Sequence, residues 1–473
     1  MYDGSQLLHL KIATTHYFPK AIKPSMAEAK QSSKNTKRKE VQGITKISVC
    51  GYKSIKDECT IDIYPLTILA GANSSGKSSI IQPLLLMKQT LEAPYDPGAL
   101  LLNGPNVRFT SVDQLLTKVS IKKDCRDSFF VEIEADSTQS AKATFKKDKK
   151  KAIDITEMRT QSKYGVSVLS PLMTTEEIND PSWLNIQSLI KQLRPEKIDI
   201  VKFVVRNRCF LEISLKIGQS EELKGDFFSS PKNIISSYIR KIIHVPGLRG
   251  NPERTYQVNA IGDEFPGTFE NYVASLMASW QDIKSPKLTS ISRALNKLGL
   301  AEKVGIRKVD DTRVEVLVGH RGKDKTEMVS IADVGFGVSQ TLPVIVALIA
   351  ANPQQLVYIE QPEIHLHPRA QAALADIIVE AVNRGVRVTL ETHSDLFLRR
   401  IQSLVAEDTL AHDKVKLHWF SKNADGFTQV STASLDPDGS FGDWPEDFGD
   451  VDLQEESRYL DAADKKLAQK SHG

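Results

Sequence analysis

Between residues 44 and 89 the spacing of apolar positions changes from one segment to the next. Ile44–Cys50 and Thr60–Tyr64 alternate apolar and polar residues around the polar segment Gly51–Glu58, a pattern typical of a β-hairpin. Leu66–Ala70 is a continuous apolar run, as expected for a parallel strand buried on both faces. In Ser79–Gln89 the apolar residues recur at helical spacing. The pattern predicts a hairpin, a buried strand and a helix.

An alternation of helix and strand returns after residue 329. The spacing predicts a helix over Ser339–Ala350 and a strand over Leu356–Ile359. It then predicts a helix over Arg369–Asn383 and a strand over Val386–Leu390. Strands that alternate with helices form parallel sheets covered on both faces. We therefore expect an α/β core with a mixed, mainly parallel sheet and helices on both faces.

The chain between these two halves is less regular, and we expect it to form a large α+β insertion. Lys146–Lys151 (KKDKKK) is charged at every position, which is more typical of a solvated loop than of a binding element. No heptad pattern is sustained, so no long coiled-coil arm is predicted. Three stretches are predicted as strands and two as helices: Phe130–Glu134, Val201–Lys216 and Arg313–Val318, then Phe269–Trp280 and Ser290–Leu298.

These patterns divide the chain into five segments. The first is a flexible leader with the basic run Lys30–Lys39, and the last is an acidic C-terminal extension with a turn at Asp436–Gly439. The insertion is expected to serve as a lid and in dimerisation. In order, the segments are the leader 1–42, the N-terminal half of the core 43–120, the insertion 121–328, the C-terminal half of the core 329–423 and the extension 424–473.

Composition excludes several classes of protein. The 473 residues carry a net charge of +3, so any nucleic-acid contact requires a local basic patch. The four cysteines show no CxxC pairing, which argues against a disulfide framework or a zinc site. No apolar run approaches the roughly 20 residues of a membrane span, and no secretory signal is present. We expect a cytoplasmic protein that does not enter a membrane.

The segment between the buried strand and the first helix carries the most specific motif. Gly71 to Ser78 fits GxxxxGK[ST], a loop whose glycines let successive backbone N–H groups point at phosphates. Lys77 is expected to reach the β- and γ-phosphates, and Ser78 to ligate Mg²⁺. The positive end of the following helix adds to this anion site. We therefore expect ATP with Mg²⁺ to bind through Gly71, Asn73, Ser74, Ser75, Gly76, Lys77, Ser78 and Ser79.

A carboxylate follows the predicted strand Leu356–Ile359. Glu360, held at the end of a strand beside a phosphate loop, is suited to hold Mg²⁺ together with Ser78. An apolar run that ends in Glu is by itself often only a strand end. The upstream Lys77 loop is what makes Glu360 a candidate metal ligand.

A glycine- and serine-containing segment, Asp333 to Gln340, opens the next helix. Gly337 and Ser339 at a helix N-terminus form a second candidate anion site. The alternative is a glycine-bearing turn with a serine cap. The segment also partly matches the dinucleotide motif GxGxxG, but Gln340 replaces the third glycine.

Histidines mark the ends of two core elements. His393 follows the strand Val386–Leu390 and is expected at the same sheet edge as the phosphate loop, where it can sense the γ-phosphate; a lone histidine is more often structural. His365 and His367 suggest a metal site, but because Pro368 follows them we favour a loop that meets a partner subunit.

Two arginines, Arg249 and Arg254, flank Pro252 in a turn-rich stretch. An arginine fork suits phosphate or carboxylate recognition, in nucleotide sensing or at a subunit contact. Surface salt bridges are the alternative, and the sequence leaves both open.

The order of these segments resembles that of ABC-class ATPases. More narrowly, the chain resembles the RecF-like and OLD-like AAA ATPases, including the ATPase components of bacterial anti-phage systems. The resemblance implies an ABC-type P-loop NTPase core, and it leaves residues 120–235 without a matching motif. Its blocks are Asn73–Ser79, His244–Arg249 through Tyr256, Glu360–Pro368, Glu391–Ser394 and Trp444–Phe448.

The resemblance implies a nucleotide-gated dimer. Two subunits would enclose two ATP molecules, each held by the Lys77 loop of one subunit and the Gly337–Ser339 segment of the other. Ser339 would touch the γ-phosphate across the dimer, and His393 would sense it. Glu360 would hold Mg²⁺.

The chain departs from the family pattern after Glu360. Many ABC-class proteins have a second glutamate there, which orients the attacking water, whereas this chain has Gln361, which cannot accept a proton. Either Glu363 acts as the base, or hydrolysis is slow and the protein acts mainly as an ATP-gated clamp. General-base assistance contributes about 10²–10⁴-fold to a rate. We expect slow hydrolysis with Glu363 as the candidate base.

The expected function is an ATPase switch that forms a homodimer or a higher even oligomer and controls a separate effector protein in anti-phage defence. The alternative is a RecF-type DNA-repair ATPase whose clamp closes on a duplex, for which the support is the basic runs Lys30–Lys39 and Lys146–Lys151. Nucleic acid is therefore a possible partner. A transporter subunit is disfavoured because its signature begins with Leu-Ser, where this chain has Val334 and Gly335.

Overall fold

The computed structural model describes most of the chain from residue 42 onward. The predicted leader, all but its last residue, and the Trp444–Phe448 block lie outside the described residues. The described residues are 42–118, 127–136, 138–148, 152–163, 165–178, 200–217, 221–223, 231–321, 326–441 and 457–462.

Strands and helices are numbered in chain order. Among the described residues, no helix is long and apolar enough to cross a membrane. The helices are α1 (Lys77–Glu92), α2 (Pro231–Arg240), α3 (Val273–Asp282), α4 (Pro286–Lys297), α5 (Phe336–Ala350), α6 (Pro368–Asn383) and α7 (Asp395–Ala406). The strands are β1 (Ile44–Cys50), β2 (Cys59–Asp62), β3 (Leu66–Gly71), β4 (Ser128–Ala135), β5 (Gln139–Lys147), β6 (Ile153–Ser162), β7 (Gly165–Leu169), β8 (Ile200–Asn207), β9 (Phe210–Ile217), β10 (Glu221–Leu223), β11 (Ile243–Val245), β12 (Tyr256–Gln257), β13 (Lys303–Lys308), β14 (Arg313–Arg321), β15 (Thr326–Ser330), β16 (Leu356–Glu360), β17 (Arg387–Glu391), β18 (Val415–Lys422) and β19 (Thr428–Ser434).

The core sheet has the strand order β11-β16-β17-β3-β18-β19. Its first five strands run parallel, and β19 is antiparallel to β18. In this register Glu360 lies opposite Glu391, which in turn pairs with Leu69. The predicted mixed, mainly parallel sheet is confirmed. The carboxyl ends of β16, β17 and β3 meet at one edge.

Both faces of this sheet are covered. Along β3, Leu66, Ile68 and Ala70 belong to one buried cluster and Leu69 belongs to another. The first cluster includes residues of α3 to α7, and the second includes residues of α1, α2 and β1. Since both of its faces are buried, β3 is mostly apolar, which explains the run in the sequence. Its one polar side chain, Thr67, is buried and donates through Oγ1 to the Tyr64 carbonyl.

The predicted insertion is built into the core rather than attached to it at one point. A second, antiparallel sheet has the order β2-β1-β4-β5-β6-β7, in which β4 from the insertion pairs directly with β1. The strand β11, also within the insertion, is the edge strand of the core sheet. The remaining described strands form a hairpin extended by β10 and a small sheet of β12 to β15.

Several predicted bounds differ from the structure. Val201–Lys216 is two antiparallel strands, β8 and β9, instead of one stretch. Lys146 and Lys147 end β5 and form ion pairs with Asp127 and Asp113, so the loop prediction was wrong for these two lysines. Because each lysine is neutralised by an aspartate from another segment, the strand can include part of this charged run.

A side-chain cap explains the early start of one helix. The helix α4 begins before Ser290 because Ser285 Oγ accepts a hydrogen bond from the Lys287 N–H at 3.3 Å and Pro286 occupies the first turn. In the core, β17 extends to Glu391, one residue beyond the predicted strand.

Candidate functional site

The phosphate loop connects β3 to α1 through two glycines with positive φ. Gly71 has φ 129° and Gly76 has φ 108°. A Cβ on Gly71 would lie 2.0 Å from the carbonyl oxygen of Phe420, so β18 packs too closely for any other residue. Ser74, at φ 61°, also lies in the left-handed region. Glycines thus occupy two loop positions where the backbone needs a positive φ.

Lys77 lies at the first position of α1 and is 5% exposed. Its Nζ donates hydrogen bonds to the carbonyl oxygens of Gly71 (3.0 Å) and Ala72 (2.8 Å). Burial lowers the pKa of Lys77, and the nearby carboxylates Glu391 and Glu363 act in the opposite direction. The loop therefore holds a cation against its own carbonyl groups, where a phosphate can replace those weak partners.

A cavity of about 370 Å³ opens at this loop. Seven of the predicted site residues line it, namely Asn73, Ser74, Gly76, Lys77, Ser78, Ser79 and His393. Five further lining residues were not predicted as site residues: Lys53, Ser54, Gln82, Gln361 and Glu391. Of the remaining predictions, Gly71 and Ser75 belong to the loop backbone, while Glu360, Glu363, Gly337 and Ser339 lie outside this lining.

Glu391 ends β17 and is 3% exposed. Its Oε2 accepts a hydrogen bond from Ser78 Oγ at 2.8 Å, and its Oε1 accepts one from the Tyr358 hydroxyl. Burial raises the pKa of Glu391 to about 7; the hydrogen bond from Tyr358 opposes this shift and the charge of Glu360 adds to it. Glu391 is thus the carboxylate that contacts the phosphate loop.

The carboxylate of Glu360 is held by groups on the β11 side of β16. Its Oε1 lies 3.2 Å from His244 Nε2, and its Oε2 accepts a hydrogen bond from the Gly247 N–H at 3.0 Å. Burial acts to raise the pKa of Glu360, but the hydrogen bond and charge of His244 and the bond from Gly247 lower it below its ordinary value. The structure thus places Glu360 at the predicted sheet edge with both oxygens occupied by protein groups.

Glu363 is buried behind His393. Its Oε1 accepts hydrogen bonds from Thr392 Oγ1 (2.9 Å) and from the His393 N–H (2.7 Å). Its Oε2 is buried without a hydrogen-bond partner in the described structure. Burial raises the pKa of Glu363 despite these bonds. Burial and the charge of Lys77 lower the pKa of His393, which favours a neutral imidazole facing the cavity.

The glycine–serine segment lies away from this cavity. The helix α5 begins at Phe336, and no side chain caps it, which argues against the alternative of a serine cap. Ser339 Oγ donates to the Phe336 carbonyl at 3.1 Å and lines a separate cleft of about 840 Å³. That cleft is larger, but it lacks the glycine loop and Lys77. Within one chain, Ser339 therefore does not line the cavity at the Lys77 loop.

The two predicted arginines have different surroundings. Arg249 is 8% exposed and donates to the carbonyl oxygens of Gln340 (3.1 Å) and Glu360 (2.8 Å), so it connects α5 to the end of β16. Arg254 is exposed and forms a two-pronged ion pair with Asp333. The salt-bridge alternative therefore describes Arg254 only.

Several contacts beside the phosphate loop were not predicted from the sequence. Lys53 Nζ donates to Gln82 Oε1 at 2.6 Å, beside the loop. Thr428, in β19, donates through Oγ1 to the carbonyl oxygen of Ser75 at 2.8 Å and its N–H bonds the Ser54 carbonyl. Thr428 falls in the predicted acidic extension, and no local signal connects it with the loop. Lys53 lies in the predicted turn of the β1–β2 hairpin, where it adopts a positive φ of 48°.

The donor set at the cavity fits Mg²⁺. A hydroxyl, a carboxylate and the oxygens of a bound triphosphate are the hard ligands that this ion prefers, with water completing the shell. Among the described residues, no group of three or more His, Cys, Asp or Glu side chains could hold a metal ion by itself, which such a site does not need. His367, which suggested a metal site in the sequence, accepts the Arg369 N–H through Nδ1 at 3.3 Å and caps α6.

Comparison with known proteins identifies the family of this chain. A family model described as the AAA ATPase domain matches residues 43–398. Among curated proteins, none matches this chain significantly.

Solved structures with a similar fold include heads of SMC proteins. An SMC head bound to the C-winged helix domain of ScpA is 14% identical, with a TM-score of 0.44, and covers 83% of this chain and 98% of its own. The SMC head domain of Thermotoga maritima is 10% identical, with a TM-score of 0.35 and coverage of 82% and 98%. An Smc head with an extended coiled coil, bound to the C-terminal domain of ScpA and derived from Pyrococcus furiosus, is 11% identical, with a TM-score of 0.41 and coverage of 83% and 96%. Similarities this distant carry no argument about function.

The family match, by contrast, extends over most of the sequence and contains the glycine loop, Glu360, Glu391 and His393. This chain therefore belongs to the AAA ATPase domain family.

Proposed function

We propose that this ATPase binds ATP with Mg²⁺ as a nucleotide-gated dimeric switch, hydrolyses it slowly, and controls a separate effector in bacterial anti-phage defence. The observation that carries the nucleotide-binding part is the buried Lys77 ammonium at a glycine loop that opens on a cavity lined by Ser78 and His393. The defence role rests on the resemblance to RecF-like and OLD-like ATPases set out from the sequence.

Binding uses groups that are already in position. The N–H groups of the loop and the positive end of α1 favour an anion between Gly71 and Ser78. Lys77 exchanges the carbonyl oxygens of Gly71 and Ala72 for phosphate oxygens, which are stronger acceptors for an ammonium. Bound Mg²⁺ would neutralise charge on the phosphates, and the Ser78 hydroxyl would help to hold it.

Slow hydrolysis is expected because Gln361, and not a glutamate, lines the cavity at the position after Glu360. Gln361 faces the cavity with a backbone φ of 43°, a conformation that a non-glycine residue adopts at a cost of about 1–3 kcal/mol. Its amide can orient a water molecule but cannot take a proton from it. Glu363, the candidate base, is separated from the cavity by His393, whose backbone it binds.

Dimer formation is supported by the position of the second anion site. Ser339 lies outside its own chain's phosphate cavity, so a contact with ATP needs a second subunit. Phe336, the first residue of the helix that carries Ser339, is 54% exposed and would be covered by such a contact.

DNA binding is not favoured by any described contact. Lys146 and Lys147, from the basic run that motivated it, are paired with Asp127 and Asp113. A salt-dependent, ATP-stimulated gel shift would reinstate the RecF-type alternative.

The nucleotide-binding proposal is tested by equilibrium binding of a fluorescent ATP analogue with Mg²⁺. We expect saturable binding by the natural chain and a loss of about 30- to 150-fold in Lys77→Ala, because a charge-assisted contact contributes about 2–3 kcal/mol. Lys146→Ala, at an exposed lysine with an ion pair of its own, is the matched control. Equal affinities of all three proteins would contradict the proposal.

The defence proposal is tested by phage plating on cells that carry the gene with its genomic neighbours. Plating should fall with the natural gene and recover with Lys77→Ala. Equal plating with and without the natural gene, over a broad phage panel, would remove the defence role and leave nucleotide binding intact.

A further inference from the structure

Two glutamates lie side by side at the edge of the core sheet, and only one of them faces the phosphate loop. Glu360 and Glu391 are paired in the parallel register of β16 and β17. Neighbouring strands lie about 4.8 Å apart. Because β17 lies between β16 and β3, Glu391 is one strand away from the loop and Glu360 is two strands away.

The contacts of the two carboxylates agree with this placement. Glu391 accepts the Ser78 hydroxyl at 2.8 Å and lines the cavity with Lys77. Glu360 has both oxygens engaged by His244 and by the Gly247 N–H, on the β11 side of the sheet. Turning Glu360 toward Ser78 would break both bonds and leave the buried His244 ring without this partner.

The orientation of the Glu391 carboxylate is fixed by a hydrogen bond from the neighbouring strand. The Tyr358 hydroxyl, on the neighbouring strand β16, donates to Oε1 of Glu391, which leaves Oε2 toward Ser78 and the cavity. Tyr358 is 1% exposed and stacks on the His244 ring at 5.4 Å between centroids. The buried Tyr358 hydroxyl has no access to water that could replace this partner, so the bond holds the Glu391 carboxylate in one orientation.

We propose that Glu391, and not Glu360, is the carboxylate that holds Mg²⁺ together with Ser78, and that Tyr358 positions it. This inference rests on the proposed binding of ATP with Mg²⁺. It assigns Glu360 a structural part, in which it joins β11 and β16 through His244 and Gly247. The sequence motif had pointed to Glu360 for the metal.

The test is the dependence of nucleotide affinity on the metal. For each protein, the dissociation constant of a fluorescent ATP analogue is measured in EDTA and in Mg²⁺, and the ratio of the two gives the metal coupling. Glu391→Gln should reduce this ratio by more than about 10-fold, because loss of even an outer-shell partner typically lowers metal affinity by about 10- to 100-fold. Its amide oxygen can still accept the Tyr358 hydroxyl. Glu360→Gln should change it by less than about threefold. Electron paramagnetic resonance of Mn²⁺ with the analogue should show the same order of affinities.

Each outcome separates the two proposals. If the natural chain binds no nucleotide in either buffer, the proposed function fails. If it binds with metal coupling that Glu391→Gln preserves and Glu360→Gln removes, the proposed function stands and this inference is wrong. Tyr358→Phe keeps the carboxylate and removes its support, so it should lower the coupling in the same direction but less. Should Glu391→Gln fail to fold by circular dichroism, Glu391→Asp replaces it, since a shorter carboxylate should also lose the metal; unchanged coupling in Glu391→Asp and Tyr358→Phe would overturn the inference.

Discussion

Gly76→Ala tests whether β19 supports the phosphate loop. Gly76 has φ 108°, and an added Cβ would lie 2.2 Å from Thr428 Oγ1 and 3.1 Å from Ser54 Oγ. The backbone conformation costs an alanine about 1–3 kcal/mol. Relief of the clash requires Thr428 to move, with loss of its bonds to the Ser75 carbonyl and Ser54, each about 0.5–1.5 kcal/mol. Together these come to about 2–6 kcal/mol.

The assay combines urea unfolding with ATP binding. We expect the free energy of unfolding of Gly76→Ala to fall by about 2–6 kcal/mol, and its ATP affinity to fall by at least about thirtyfold if about 2 kcal/mol of the strain is relieved by distortion of the loop. Gly98→Ala is the control for backbone strain, because Gly98 has φ 94° and its added Cβ would meet nothing within 4 Å. It should lose about 1–3 kcal/mol of stability and keep its ATP affinity.

A second substitution isolates the clash. Thr428→Ala in the Gly76→Ala background removes the two Thr428 atoms closest to the new Cβ, so part of the ATP affinity should return. ATP affinity of Gly76→Ala within threefold of the natural chain, or no recovery in the double variant, would refute the view that Thr428 is part of the site.

Three further predictions concern chemistry, assembly and pH. Gln361→Glu should raise the rate of ATP hydrolysis by about 10²-fold or more in a phosphate-release assay, because it supplies the missing base; an unchanged rate would show that a base is not limiting. Ser339→Ala should retain ATP binding and lose ATP-induced dimers in light scattering, whereas dimers in this variant would exclude the sandwich geometry. Because the pKa of Glu391 is raised to about 7, its stabilising contribution is present below pH 4.5 and is lost as pH rises through 7. In the absence of nucleotide, Glu391→Gln should therefore gain about 3 kcal/mol of stability relative to the natural chain between these pH values, and parallel pH profiles of urea unfolding would contradict this.

The local motifs predicted the secondary structure around the phosphate loop. The strand β3, the loop and α1 follow from apolar spacing and from glycines, and these signals act over a few residues. The apolar runs Leu356–Ile359 and Val386–Leu390 likewise predicted neighbouring parallel strands, which placed Glu360 and His393 at the correct sheet edge.

What the sequence did not predict depends on contacts between distant segments. Thr428 reaches Ser75 only because β19 packs at the far end of the core sheet, next to β18. Glu391 was placed just beyond its strand, and the choice between Glu391 and Glu360 depends on the strand order β16-β17-β3. A one-dimensional pattern does not contain that order. The buried link from Arg249 to Gln340 and Glu360 is of the same kind.

Subunit complementation tests the central claim most directly. In the proposed dimer each ATP needs Lys77 from one subunit and Ser339 from the other. Lys77→Ala and Ser339→Ala should each remain monomeric with ATP and Mg²⁺ in light scattering, whereas their mixture should form dimers with one intact site. A mixture that stays monomeric while the natural chain dimerises, or dimers formed by either variant alone, would contradict the account.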